Sequence, residues 1–188
     1  MEWLQQIDLS VLLFIQEHLR FAWLNGFWEF ITHFGDGGMF WLILSLLLII
    51  PARTRKAGMV AFCSLLLGAL ITNAALKNIV DRMRPYEFSD LIVPLGRLPV
   101  DSSFPSGHTC ASFACALVYV RMLPKKYGIP LVVLAALVAL SRLYLCVHFP
   151  TDVLGGFLAA LFSSAVVYAW YQRLERGKSN QAGEEPPK

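Results

Sequence analysis

An all-α, polytopic membrane helix bundle is the fold class the sequence predicts, and three observations carry it. The chain of 188 residues is 56% hydrophobic and only 15% charged, outside the usual balance of a water-soluble domain. Its apolar residues gather in long blocks, several near the roughly 18–20 residues that cross a hydrocarbon core of about 30 Å. Its basic residues gather in short connections between those blocks. About five transmembrane helices preceded by N-terminal interfacial helices follow from this pattern.

Residues 1–35 come first and read as an interfacial amphipathic helical segment. Leu4, Ile7, Leu12, Ile15 and Leu19 recur near helical spacing, with Gln5, Asp8, Gln16, Glu17 and Arg20 among them. Trp3, Trp23, Phe27 and Trp28 have the aromatic character of a membrane–water boundary. The alternative is one more, weakly apolar span through Val11–Ile31. The stretch lacks a basic n-region, so no cleavable signal is expected. "HFGDGG" then makes a turn, with Asp36 as the expected N-cap of the first clear span.

The membrane core is expected over residues 36–172. Its apolar blocks are Gly37–Ile50, Ala57–Leu76, Thr109–Val120, Ile129–Val147 and Val153–Trp170. The first and third are short and borrow flanking residues to cross. "PARTRKA", "RMLPKKYG" and the segment after Trp170 carry Arg53, Arg55, Lys56, Arg121, Lys125, Lys126, Arg173 and Arg176. With five spans these three segments share one side, cytoplasmic by the positive-inside rule. The long connection Asn78–Phe104 and the "HFPTD" turn fall on the other side. Residues 173–188 are polar and are expected to be a disordered cytoplasmic tail. Cys63, Cys110, Cys115 and Cys146 all lie in apolar blocks, where they read as small hydrophobes. A net charge of +3 gives no case for a nucleic-acid partner.

Polar residues collect at the outward ends of the spans. Lys77 closes the second, and Arg84 follows it. Ser106, Gly107 and His108 open the third, Ser141, Arg142 and His148 end the fourth, and Asp152 opens the fifth. An antiparallel bundle brings them to one face, where ionisable groups are costly and mark function. Lys77, Arg84 and Arg142 suit a compact dianion, and Ser106 with Gly107 at a helix start adds backbone N–H donors. Two histidines beside a phosphate divide hydrolysis between a nucleophile and a proton donor, with Asp152 holding the far N–H of His148. The scheme needs no metal and no cofactor. Ser141 is equally suited to packing. Arg82 and Arg97 read as solvated loop charges or headgroup contacts, and His18 and His33 as interfacial side chains.

"KNIVDRMRP" (Lys77–Pro85), "PSGH" (Pro105–His108) and "SRLYLCVHFPTD" (Ser141–Asp152) resemble the three-part signature of the type 2 phosphatidic acid phosphatase superfamily. All three parts are complete, in order and at intact spacing. The resemblance implies a membrane phosphatase core in which His148 is the nucleophile that forms a phosphohistidine, and Asp152 orients it. It implies His108 as general acid and then base, with Lys77, Arg84, Ser106, Gly107 and Arg142 as phosphate ligands. It further implies a lipid phosphate substrate and a place in the plasma or inner membrane with the site facing outside. Undecaprenyl pyrophosphate suits that topology best, with phosphatidic acid or phosphatidylglycerol phosphate as alternatives. A protein that only binds or moves phospholipids would need the cations but neither histidine. A vanadate-dependent haloperoxidase shares the pocket residues, but those enzymes are soluble.

Overall fold

A chain in lipid must satisfy its backbone internally, as a helix or a closed barrel does, and this one uses helices. The computed structural model describes residues 2–183, and among them every regular element is helical. Helix α1 (Glu2–Phe14) runs into a π-helical turn, Ile15–Leu19, and α2 (Ala22–Thr32) follows. A 3₁₀ stretch, His33–Gly38, joins α2 to α3 (Met39–Ile49). Next come α4 (Arg55–Ala69), a π-helical stretch Leu70–Leu76, and the short α5 (Lys77–Val80) and α6 (Pro85–Phe88). The bundle is completed by α7 (Gly107–Met122), α8 (Lys125–Tyr144) and α9 (Pro150–Gly183).

Among the described residues four helical stretches are long and apolar enough to cross a membrane: Ala22–Ile49, Arg55–Phe88, Lys125–Tyr144 and Pro150–Lys178. The first differs from expectation. The expected interfacial segment ends at 35, yet α2 and α3 together make up one of these stretches, with a kink in the "HFGDGG" segment where Asp36 and Gly37 leave helical geometry. Gly37 and Gly38 supply left-handed backbone there, at φ 55° and 70°, and take up the kink. Asp36 does not cap α3; Gly38 holds that position without a side-chain bond. The expected disordered tail also differs, because α9 continues to Gly183. Residues 184–188 lie outside the described residues.

Helix α7 is short, at 16 residues, and sits at the centre, packed against α4, α8 and α9. Its Cys115, Ala116, Val118 and Tyr119 join Trp41, Val60, Ala61, Leu65, Ala135 and Val167 in the main core cluster. The buried polar groups are tied within the bundle: Ser45 Oγ lies 2.7 Å from the Tyr119 hydroxyl and donates to Trp41 O at 2.7 Å. Glycine sets the closest approaches, as in other membrane bundles. A Cβ on Gly58 would lie 2.7 Å from Ser45 O of α3, and one on Gly128 2.6 Å from the Val120 Cα of α7. Outward-facing Leu46, Leu47, Leu66, Leu70, Val133, Leu158 and Phe162 stay exposed and form the lipid-facing coat.

The N-terminal segment docks over one end of the bundle. Arg20 donates to Val93 O at 2.6 Å and to Tyr144 O, in the last turn of α8, at 3.0 Å. The Tyr144 hydroxyl donates to Phe21 O at 3.1 Å, and its ring stacks on Trp28.

Candidate active site

At that same end, three chain reversals deliver the polar residues collected by the sequence. Helix α5 stops at Asp81, whose backbone is left-handed (φ 40°), and the chain turns back through Arg82 and Arg84. Ser106 caps α7, its Oγ accepting from Thr109 N at 3.4 Å. Helix α8 ends in a tight turn in which Cys146 (φ 55°) is left-handed and His148 is directed inward. The π-helical stretch before Lys77 widens α4 beside the site and contributes Thr72 and Asn73 to its wall; such bulges recur at functional positions.

Lys77, Arg84, Gly107, His108, Arg142 and His148 line a single cavity of about 420 Å³. Leu42, Leu65, Leu66 and Ala69 of α3 and α4 form its apolar side. A neighbouring cavity of about 530 Å³ shares Gly37, Pro99, Asp101, His108 and Arg142 with it, and adds Glu29, His33, Asp36 and Arg97. His108 therefore stands between two lobes, one beside His148 and one beside the carboxylates.

His148 is fully enclosed. Its Nε2 lies 3.5 Å from Arg84 Nη1, and its Nδ1 faces Asp152 Oδ2 at 3.6 Å with no hydrogen-bond partner closer. Burial holds its ring neutral, far below the usual histidine range. Asp152 lies behind it rather than in the cavity. Its Oδ2 accepts from Phe149 N at 2.8 Å and from the Ser103 hydroxyl, and its backbone carbonyl accepts from Ser106 N at 3.0 Å. That last bond joins the start of α7 to the start of α9.

The cations are engaged within the chain. Arg84 donates to Val147 O at 2.7 Å, to Asp101 O at 2.8 Å and to Asp101 Oδ1 at 2.7 Å; Lys77 pairs with the other Asp101 oxygen. Asp101 thus sets a carboxylate against two of the three cations expected to bind phosphate. Partial burial pushes its pKa up, but the Lys77 and Arg84 contacts outweigh that and bring it to about 2. Arg142 donates to Thr32 Oγ1 at 2.6 Å, while its Nε has no partner among the described residues.

Not every expected residue reaches the cavity. Ser106 is buried beneath it as a cap, and Ser141 donates to Val138 O at 2.6 Å in a packing role. Arg82 is not a solvated loop charge: it bridges Asp8 and Asp152. Sequence reasoning also missed Asp36, whose Oδ1 pairs with His108 Nε2 at 2.8 Å and whose Oδ2 pairs with His33 Nδ1 at 2.7 Å. Asp36 and His108 are 72 residues apart, and no local spacing signals the contact.

Two histidines and three cations thus surround one cavity of a helical bundle, a lining that suits an anionic ligand. The chain belongs to the PAP2 superfamily, which it matches over residues 57–176, more than half its length. It is 33% identical over 155 residues to an undecaprenyl-diphosphatase of Sulfolobus acidocaldarius, covering 82% of this chain and 74% of that protein. It is 34% identical over 172 residues to phosphatidylglycerophosphatase B of Bacillus subtilis, covering 84% and 80%. The crystal structure of a transmembrane PAP2 type phosphatidylglycerolphosphate phosphatase from Bacillus subtilis superposes with a TM-score of 0.74 at 29% identity, over 92% of this chain and 88% of that one.

Proposed function

We propose that this protein is a metal-independent lipid phosphate phosphatase working through a phosphohistidine, with undecaprenyl pyrophosphate as its substrate and undecaprenyl phosphate as the lipid product. The observation that carries the reading is the placing of His148, His108, Lys77, Arg84 and Arg142 around one cavity, with His148 Nδ1 turned to Asp152.

In the first step His148 Nε2, neutral in its buried turn, attacks phosphorus while Asp152 accepts the hydrogen bond of Nδ1–H. The N–P bond forms as the bond to the leaving oxygen breaks, and His108 transfers its proton to that oxygen. In the second step water attacks the phosphohistidine and gives its proton to His108. The N–P bond then breaks and releases phosphate with His148 neutral again. Lys77, Arg84, Arg142 and the N–H groups at the start of α7 neutralise the non-bridging oxygens, so cationic side chains and helix-end dipoles take the charge that a metal ion carries elsewhere.

Five spans are part of this reading: Ala22–Ile49, the helices through α4, α7, α8 and α9, with α1 lying at the membrane surface. The basic connections lie at the end opposite the site, which directs the site outward. The apolar wall of Leu42, Leu65, Leu66 and Ala69 suits a lipid tail arriving sideways from the bilayer. A second reading, phosphatidylglycerol phosphate, is favoured by the Glu29, Asp36 and Asp101 carboxylates in the adjoining lobe. Those acids suit a hydroxyl-bearing headgroup better than a second phosphate.

The test is phosphate release in detergent micelles containing EDTA, with undecaprenyl pyrophosphate, phosphatidylglycerol phosphate and phosphatidic acid side by side and His148→Ala as control. EDTA-resistant release that vanishes in His148→Ala is expected. No release from any lipid by the folded protein would leave a phospholipid-binding protein.

A further inference from the structure

The N-terminal helix sends a buried carboxylate into the rear of the site. Asp8 of α1 is 1% exposed and shares its helix face with Leu12, which is 0% exposed. An ionised side chain so enclosed is costly unless charges and donors meet it. Arg82 meets it: Nη2 donates to Asp8 Oδ2 at 2.7 Å, and the Thr151 backbone N–H donates to Asp8 Oδ1 at 3.1 Å. The Thr151 hydroxyl donates to the same Asp8 carboxylate.

The other half of the Arg82 fork points to the active site. Nη1 donates to Asp152 Oδ1 at 2.6 Å and to Thr151 Oγ1 at 2.7 Å. The guanidinium lies 4.1 Å from the centroid of the Phe149 ring, which fixes its plane. Asp152 Oδ2 faces His148 Nδ1 at 3.6 Å while it accepts from Phe149 N and Ser103. A planar guanidinium bonded to a carboxylate on each side is a rigid spacer, a job that a flexible ammonium cannot do.

We infer that Asp8 and Arg82 are positioning residues for the reaction, acting through Asp152: Arg82 fixes the carboxylate that orients His148, and Asp8 fixes Arg82. The N-terminal helix is thereby a working part of the active site. This rests on the reading of His148 and Asp152 as nucleophile and orienting acid. Asp152 meets Arg82 on one oxygen and accepts from Ser103 and Phe149 N on the other, while Arg84 and Arg142 face His148 from the cavity side.

The test compares Asp8→Asn, Arg82→Gln, Arg82→Lys, the Asp8→Asn/Arg82→Gln double variant and His148→Ala as full-length protein in micelles. Steady-state release from undecaprenyl pyrophosphate and from phosphatidylglycerol phosphate is measured along with thermal unfolding. Arg82→Gln is expected to lower kcat about 10- to 100-fold, the scale of a misplaced reacting group, with KM changed less than about twofold. Arg82→Lys falls between that variant and wild type, Asp8→Asn lowers kcat in the same direction, and the double variant is no worse than Arg82→Gln alone. If Arg82→Gln does not fold, Asp8→Asn and Arg82→Lys decide by the same kcat criterion. Wild-type kcat in those two variants, a loss confined to KM, or losses that multiply in the double variant would overturn the inference. Activity retained by His148→Ala would instead overturn the reading beneath it.

Discussion

Asp101 Oδ1 accepts a hydrogen bond from Arg84 Nη2 at 2.7 Å, so a carboxylate of the chain occupies a cation that the proposed reaction needs for phosphate. Lys77 closes on the other oxygen. Asp101 is itself 53% exposed, on the loop that walls both lobes. An incoming phosphate dianion therefore competes with a resident monoanion. Asp101→Asn removes the competitor and keeps the shape. The half-exposed Asp101 carboxylate is screened by solvent, so its contact contributes about 0.2–1 kcal/mol and orthophosphate inhibition should tighten up to about fivefold. Inhibition constants for orthophosphate on the two proteins check this. An unchanged constant would mean that Asp101 does not occupy the phosphate seat.

The same groups set a pH dependence of stability. The pKa of Asp101 is lowered on folding, so its contribution is present above the ordinary carboxylate range and is lost as pH falls through about 2. His148 acts at higher pH. Its folded form stays neutral because of burial, whereas the unfolded chain binds a proton below about 6.5, so stability falls as pH drops below that point. One proton of difference gives a slope of about 1.4 kcal/mol per pH unit. Thermal unfolding in detergent between pH 7 and pH 5 should show a falling Tm, and His148→Gln should flatten that fall. An equally steep fall in His148→Gln would place the titrating group elsewhere.

The helical core was legible because lipid makes every span apolar along its whole length, and the blocks from Ala57 to Trp170 coincide with α4, α7, α8 and α9. The Ala22–Ile49 helix was not, because Asn25, Glu29 and Thr32 dilute its first half and the glycines of "HFGDGG" read as a stop. In the structure helical geometry does break at Asp36 and Gly37, but α3 starts again at once after Gly38, so the two helices meet at a kink. Lys77, Arg84, His108, Arg142 and His148 were legible as a group because each lies a fixed few residues from a span end. Asp36 and Arg82 act on partners 72 and 70–74 residues away, and no periodicity reports such contacts. One signal for Arg82 existed: Asp8 lies four residues before Leu12, on the face the helix buries, and a charge there calls for a counter-charge.

Packing behind the site makes a third prediction. A Cβ on Gly156 of α9 would lie 2.4 Å from Ser106 O and 3.1 Å from Thr109 Cβ. The contact is with backbone, which cannot swing aside, at the turn whose N–H is held by Asp152 O. Gly156→Ala should destabilise the protein by about 1–3 kcal/mol and move the start of α7 away from the cavity. Gly177 lies on the same helix with nothing within 4 Å of its would-be Cβ. Gly177→Ala should leave activity unchanged and stabilise by up to about 1 kcal/mol through helix propensity. Tm and phosphate release on the two variants separate steric displacement of the seat from a general effect of alanine in α9.

The pairing of Asp36 with His108 leads to the last prediction. His108 is the only imidazole common to both lobes, and its Nε2 is held at 2.8 Å by a carboxylate whose second oxygen is held by His33. The Asp36 contact fixes the plane of the ring, which a proton donor needs. Asp36→Asn keeps an acceptor oxygen and removes the charge, so it weakens the hold on the ring while keeping the shape of the cavity. General acid catalysis contributes about 10²–10⁴-fold in total, and loss of the supporting carboxylate should cost about tenfold or more of it. The cost depends on the leaving group. A lipid alkoxide is a poor leaving group and needs the proton, whereas p-nitrophenolate departs without one. Asp36→Asn should therefore slow lipid phosphate hydrolysis far more than p-nitrophenyl phosphate hydrolysis, while binding of orthophosphate stays within about twofold. Equal losses on both substrates would assign Asp36 to the shape of the cavity rather than to proton transfer.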